Sequence, residues 1–222
     1  MDKTAIRHAA TVILIRRDQP EPRILIGQRG KNAAFMPSKF VFPGGALDPA
    51  DAGITLVNDL SDDCLRRLQA ETDPTLAEPL LAAAVREVWE ETGLRLARNG
   101  QAPENAPKDW QGFFDGGYVP SAHGFEFIFR AITPPGRTRR FDARFFLVDA
   151  ENLIDDLDDF SAASDELSHL QWVDITKMRE FDLPFITEVV LAEVQALLKK
   201  GGKVQTVPFF YHGVSSSEFK RL

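Results

Sequence analysis

Glu78-Pro-Leu-Leu-Ala-Ala-Ala-Val-Arg86-Glu87-Val88-Trp89-Glu90-Glu91-Thr92-Gly93-Leu94 is the stretch on which the reading of this chain turns. Pro79 suits the first turn of a helix, and Gly93 suits its end, so a helix is expected from about Pro79 to Thr92. At about 100° per residue, with Glu87 set to zero, Glu90 falls near about 300° and Glu91 near about 40°. The three carboxylates therefore share one arc, while Leu81, Val85, Val88 and Thr92 occupy an adjoining arc suited to packing on a sheet. Like charges this close cost a few tenths of a kcal/mol per pair, so local stability does not account for the cluster. A hard dication reverses the sign of that cost, because magnesium and manganese take oxygen ligands. The plainer alternative is a solvated acidic face paired with Arg86 and Arg95.

Upstream, Lys39-Phe-Val-Phe42 reads as a short strand stopped by Pro43-Gly44-Gly45, where glycine lets backbone approach a metal or phosphate closely. Thr11–Ile15 and Arg23–Gln28 read as two earlier strands joined through a turn-rich link. Residues 46–74 form an irregular insert with a short helix around Cys64 to Ala70. Downstream, strands are expected at Leu94–Ala97, Phe125–Ile132, Phe141–Val148, Gln171–Asp174 and Val204–Tyr211. The helix from Pro184 to Lys200 repeats its apolar residues with the 3.6-residue period. Strands and helices mix without βαβ alternation, which favours an α/β (α+β) fold with a mixed sheet between helices, in a single domain spanning 1–222.

The 222 residues carry 33 acidic against 26 basic side chains, a net charge of −7, which argues against nonspecific nucleic-acid binding. Cys64 is alone, so no intrachain disulfide forms. His8, His123, His169 and His212 lie far apart, so any metal is expected to be a hard cation on oxygen ligands. The apolar run Ala9–Ile15 precedes Arg16 and Arg17, the wrong order for a secretion signal, and no stretch is long enough to span a membrane. No membrane partner is expected, and cytoplasm is the expected compartment.

The order Glu-x7-Arg-Glu-apolar-x-Glu-Glu-x-Gly-apolar over Glu78 to Leu94 resembles the box of the Nudix hydrolases. The family's usual glycine before the first glutamate falls here on Thr72, and the glycine pair stands instead at Gly44-Gly45, with the extra segment between. That layout is similar to the peroxisomal coenzyme A diphosphatases, which also interrupt the box. Ala34-Phe35-Met36-Pro37 and Arg140-Phe141-Asp142-x-Arg144-Phe145-Phe146 add to this likeness. The resemblance implies a Nudix-type α/β/α sandwich and Mg2+-dependent (Mn2+ possible) hydrolysis of a small-molecule diphosphate. The substrate it implies is coenzyme A or an acyl derivative. ADP-ribose, NADH, dinucleoside polyphosphates, or a non-catalytic nucleotide-sensing role are the alternatives.

By the same resemblance, Glu87, Glu90 and Glu91 ligate the metal, with Gly45 contributing a carbonyl and Glu166 a fourth carboxylate or general base; Asp165 is its substitute. Glu87 could also assist deprotonation of water. Arg86 orients the carboxylates, either through an ion pair with Glu78 or with Glu78 only stabilising the helix start. Arg29, Phe35, Gly44, Arg140 and Arg144 are the candidate substrate contacts, with Arg139, Met36 and Phe40 behind them. Trp89 and Trp172 read as structural, and a homodimer is compatible with the family.

Overall fold

The computed structural model describes residues 5–57, 60–213 and 216–222. In chain order its strands are β1 (Ile6–Arg16), β2 (Arg23–Arg29), β3 (Phe40–Val41), β4 (Gly44–Ala46), β5 (Ala97–Asn99), β6 (Tyr118–Pro120), β7 (Glu126–Ile132), β8 (Arg140–Asp149), β9 (Leu167–Asp174), β10 (Pro208–His212) and β11 (Ser217–Arg221). The α-helices are α1 (Asp62–Leu68), α2 (Ala77–Thr92) and α3 (Phe185–Lys199).

β1 organises the molecule because its side chains alternate between two buried layers. Val12 and Leu14 join the cluster under α2, with Phe127, Phe146 and Val148. Ile13 and Ile15 join the opposite cluster, with Val190, Leu191 and Val194 of α3. A sheet buried on both faces between two helices is the expected sandwich. β1 runs parallel to β8 from Ile6↔Arg140 to Ile15↔Asp149, and β7, β10 and β11 continue the sheet outward.

On its other side β1 meets β2 only at Ile15↔Ile24 and Arg16↔Arg23. Beyond those pairs β4 takes the place beside β1, pairing Ala9↔Ala46, Ala10↔Gly45 and Thr11↔Gly44, while β2 turns to β3 and β9. The glycine pair is therefore a strand and does not simply end one, as the Pro-Gly-Gly string suggested. Gly44 holds φ 154°, and a Cβ there would overlap the Ala10 carbonyl and Thr11, so only glycine lets the strand lie this close.

α2 owes its position to a run of small and apolar residues. Leu80, Leu81, Ala82, Ala83, Ala84, Val85 and Val88 are all fully buried. Burying each of the leucines and valines contributes roughly 1.5–3 kcal/mol, and the alanines let the helix axis approach the sheet. Gly93 closes the helix in the left-handed conformation at φ 78°, donating its N–H to the Trp89 carbonyl at 2.8 Å. The helix begins at Ala77, two residues before Pro79, because the preceding turn 74–76 is capped by Asp73 and feeds directly into it.

The 46–74 insert is fastened at both ends. Asp48 and Asp51 form a capping box on the turn Pro49–Gly53, and Ser61 caps α1, which buries Cys64 and Leu68 in the α2-side core. At its far end, Arg130 donates to the carbonyls of Ala70 and Glu71 at 3.1 and 3.3 Å, and Arg144 donates to Thr72 Oγ1 at 3.0 Å. Asp142 lies between these arginines, accepting from Arg130 at 2.8 and 2.9 Å and pairing with Arg144 at 3.1 Å.

That network corrects two expectations. Arg144 is wholly buried and Arg140 is 7% exposed, donating to the carbonyls of Thr133 and His212. Both guanidiniums are bound to backbone and insert, and neither is free to meet a substrate. The reason is that they alternate onto buried positions of β8, which sequence spacing alone did not place. Burial pulls the Arg144 guanidinium down to about 10, with Asp142 opposing the shift.

Other boundaries shift modestly. The strand expected at Leu94–Ala97 forms at Ala97–Asn99 instead, since Leu94 and Leu96 are drawn into the core as the chain leaves α2. The last expected strand occupies Pro208–His212, and β11 follows it unanticipated. No helix among the described residues is long and apolar enough to cross a membrane.

Candidate active site

The acidic face of α2 lies over the fork between β1 and β2, against β4. Arg86 sits at the centre with every guanidinium N–H used. Nε donates to Asp51 Oδ1 at 2.9 Å, and one terminal nitrogen donates to Glu87 Oε1 and Glu90 Oε2, both at 2.9 Å. The other terminal nitrogen donates to Asp51 Oδ2 and to the Ala46 carbonyl, each at 3.0 Å. Burial works against its charge, but the hydrogen bond to Asp51 and the charges of Glu87, Asp51 and Glu90 hold the guanidinium firmly protonated.

Asp51 is the functional residue that the sequence reading missed. It is 1% exposed and makes the ion pair with Arg86 that is one of the two readings of Glu78. Glu78 stands exposed in the first turn of α2, where an acid complements the helix dipole, and Arg86 has no donor left for it. A signal was present: Gly45, five residues, then Asp51 reproduces the glycine-to-acid spacing that the box requires. The insert thus separates Asp51 from Arg86, and Glu78 matched only because it stands eight positions before Arg86.

The three glutamates differ in environment. Glu91 is 2% exposed and accepts the Gly44 amide at 2.8 Å. Arg29 lies 4.0 Å from its other oxygen. Desolvation, followed by the Glu87 charge, holds the Glu91 carboxyl well above the ordinary range. Glu87 is pushed up to about 7 by burial, with Arg86 opposing and Glu90 and Glu166 adding to the shift. Burial also raises Glu90, which is the most exposed of the three, against Arg86. Gly45 leaves room for the Glu87 carboxylate, since a Cβ there would displace it.

Glu166 is exposed and near enough to raise all three glutamates by its charge. Its loop is tied down from several sides. Ser164 N donates to the Glu90 carbonyl at 2.9 Å, and Trp172 Nε1 donates to the Leu157 carbonyl at 2.7 Å. Arg95 grips Asp155 with contacts as short as 2.7 Å, and Arg16 bonds Asp158 at 2.6 Å. Trp172 is structural in this sense, as expected. Phe35 packs edge-on against Phe141 at 5.1 Å, in a turn where Met36 and Ser38 hold positive φ of 51° and 62°.

The donor set fits a hard dication. It offers carboxylate oxygens in excess of local positive charge, pushed toward neutrality by burial, beside a backbone that only glycine allows so near. Among the described residues no three such groups already meet at one point: Glu87 and Glu90 are turned to Arg86, and Glu91 to the Gly44 amide.

The sequence matches the NUDIX domain family over residues 6–193. A Caenorhabditis elegans protein named as a nudix hydrolase is 29% identical over 181 residues, covering 76% of this chain and 51% of that protein. The chain thus spans about half the length of that curated relative. Among solved structures, a NUDIX hydrolase from Alicyclobacillus acidocaldarius is 27% identical with a TM-score of 0.59, covering 85% of this chain and 90% of its own. An Ap4A hydrolase from C. elegans, 14% identical with a TM-score of 0.50 over 88% of this chain and 99% of its own, shares the fold.

Proposed function

This chain belongs to the NUDIX domain family, and from that premise we propose that it hydrolyses the diphosphate link of a nucleoside diphosphate joined to a second moiety. Coenzyme A or an acyl derivative is the substrate favoured by the displaced layout, in which the longer part of the 46–74 segment, after Asp51, separates Gly45 and Asp51 from the rest of the box. The observation that carries the reading is the crowding of Glu87, Glu90 and Glu91 on one face of α2, with Arg86 bonded to Glu87 and Glu90, Glu87 against Gly45 and Glu91 on the Gly44 amide.

Glu87, Glu90 and Glu91 would hold magnesium or manganese, with the Gly45 carbonyl and Glu166 completing the set. Bound there, the cation would polarise the phosphoryl group and make a bound water more acidic. Arg86 holds the Glu87 and Glu90 carboxylates beside one another through its own anchor on Asp51 and Ala46. Glu87, on the buried face beside Gly45, would assist in taking the proton from the attacking water. Arg29, whose guanidinium lies 4.0 Å from Glu91, would donate a terminal N–H to a phosphoryl oxygen.

The test is product analysis by mass spectrometry on a pool of coenzyme A, ADP-ribose, NADH and diadenosine compounds with magnesium. Release of two phosphate-ended products from one of them is expected, with loss of at least about a hundredfold in Glu90→Gln and Glu91→Gln. Turnover unchanged by both substitutions would overturn the metal assignment, and no turnover on any compound would overturn the enzymatic reading.

A further inference from the structure

Beside the acidic face, on the outer flank of α2, lies a cleft of about 500 Å³ bounded by Trp89, Glu90, Arg95, Asp109, Gly112 and Asp155. Its size is that of a small-molecule site. Trp89 is half-buried and meets Phe113 at 5.5 Å with the rings at 88°. Trp89 packs on the α2-side core and also forms part of the cleft wall. Gly112 has no positive φ that would demand glycine, yet a Cβ there would press on the Trp89 ring at 3.3 and 3.5 Å. Glycine at this position therefore preserves the space beside the indole.

The charges around the cleft select its occupant. Glu90 is paired with Arg86 at 2.9 Å and Asp155 with Arg95, whose guanidinium also bonds the Asp115 carbonyl at 3.0 Å, so Asp109 adds the further carboxylate of the cleft. An excess of carboxylate repels phosphate and accepts from N–H groups. Resting on the diphosphatase reading, we propose that this cleft holds an uncharged planar base of the substrate, stacked on Trp89 with its amino edge toward a carboxylate, while the diphosphate lies past Glu90. Stacking on an aromatic side chain is tolerant of base identity, so the site would favour nucleobases as a class.

The experiment uses adenosine as a probe, since it carries the base without phosphate. The chain has three tryptophans, so the Trp89 indole N–H signal is assigned in a 15N-labelled sample by its loss in Trp89→Phe. Adenosine is expected to shift that signal, inorganic phosphate to leave it in place, and Gly112→Val to weaken adenosine binding about tenfold or more. With the best hydrolysed substrate, Gly112→Val and Trp89→Ala should raise KM by a similar factor with kcat little changed. A Trp89 signal unmoved by saturating adenosine, or hydrolysis with KM unaltered in both variants, would overturn the proposal and leave the diphosphatase reading standing. Adenosine binding in a chain that hydrolyses nothing would keep the base site and remove that reading.

Discussion

The pairing of Arg86 with Asp51, and not with Glu78, makes a sharp stability prediction. Asp51→Ala removes two of the five hydrogen bonds of a guanidinium that is itself 8% exposed, and also the acceptor for the Asp48 amide at 2.8 Å. Breaking one side of a buried ion pair costs about 3–5 kcal/mol, because the remaining charge stays out of water. A domain's whole stability is about 5–15 kcal/mol, so the loss is large but measurable. Glu78→Ala touches an exposed residue and should stay within about 0.5 kcal/mol of the parent. Urea unfolding followed by circular dichroism at pH 7.5 gives both values. A double-mutant cycle with Arg86→Met should show coupling for Asp51 and none for Glu78. Equal costs for the two alanine variants, or coupling only with Glu78, would refute this account of how Arg86 is anchored.

Further outcomes follow from the same geometry. Gly45→Ala forces the Glu87 carboxylate aside, so kcat should fall at least about tenfold in a diphosphatase assay while the fold survives by far-UV dichroism. Glu87 has a folded pKa near 7, above its usual 4.5, so the native state binds more protons than the unfolded one between those values. In chelator, stability should therefore fall as pH rises from about 4.5 to 7, by up to about 3 kcal/mol from this group, and level off above. Glu87→Gln should flatten that slope, and urea midpoints at pH 5 and 7.5 check it. Asp142→Ala leaves Arg130 and Arg144 without their shared counter-charge and should cost about 3–5 kcal/mol, read as a lowered urea midpoint.

The sequence by itself determined a helix from about Pro79 to Thr92, the clustering of Glu87, Glu90 and Glu91 on one face, and a first strand at Thr11–Ile15. These are local properties, set by residue periodicity and by the need of glycine at the helix end. It also placed Glu166 on a loop before Trp172, and the tertiary contacts of that loop bring it to the glutamates. What only the folded chain decided was which charged groups meet. Asp51 reaches Arg86 across an insert of irregular backbone, and spacing along the chain could not rank it above Glu78, which stands at the expected interval. Arg140 and Arg144 were candidate substrate contacts but are buried, because the orientation of a β8 side chain depends on its neighbours β1 and β7. Charge pairing in a core follows distance in space and loss of water, and neither is a property of sequence separation.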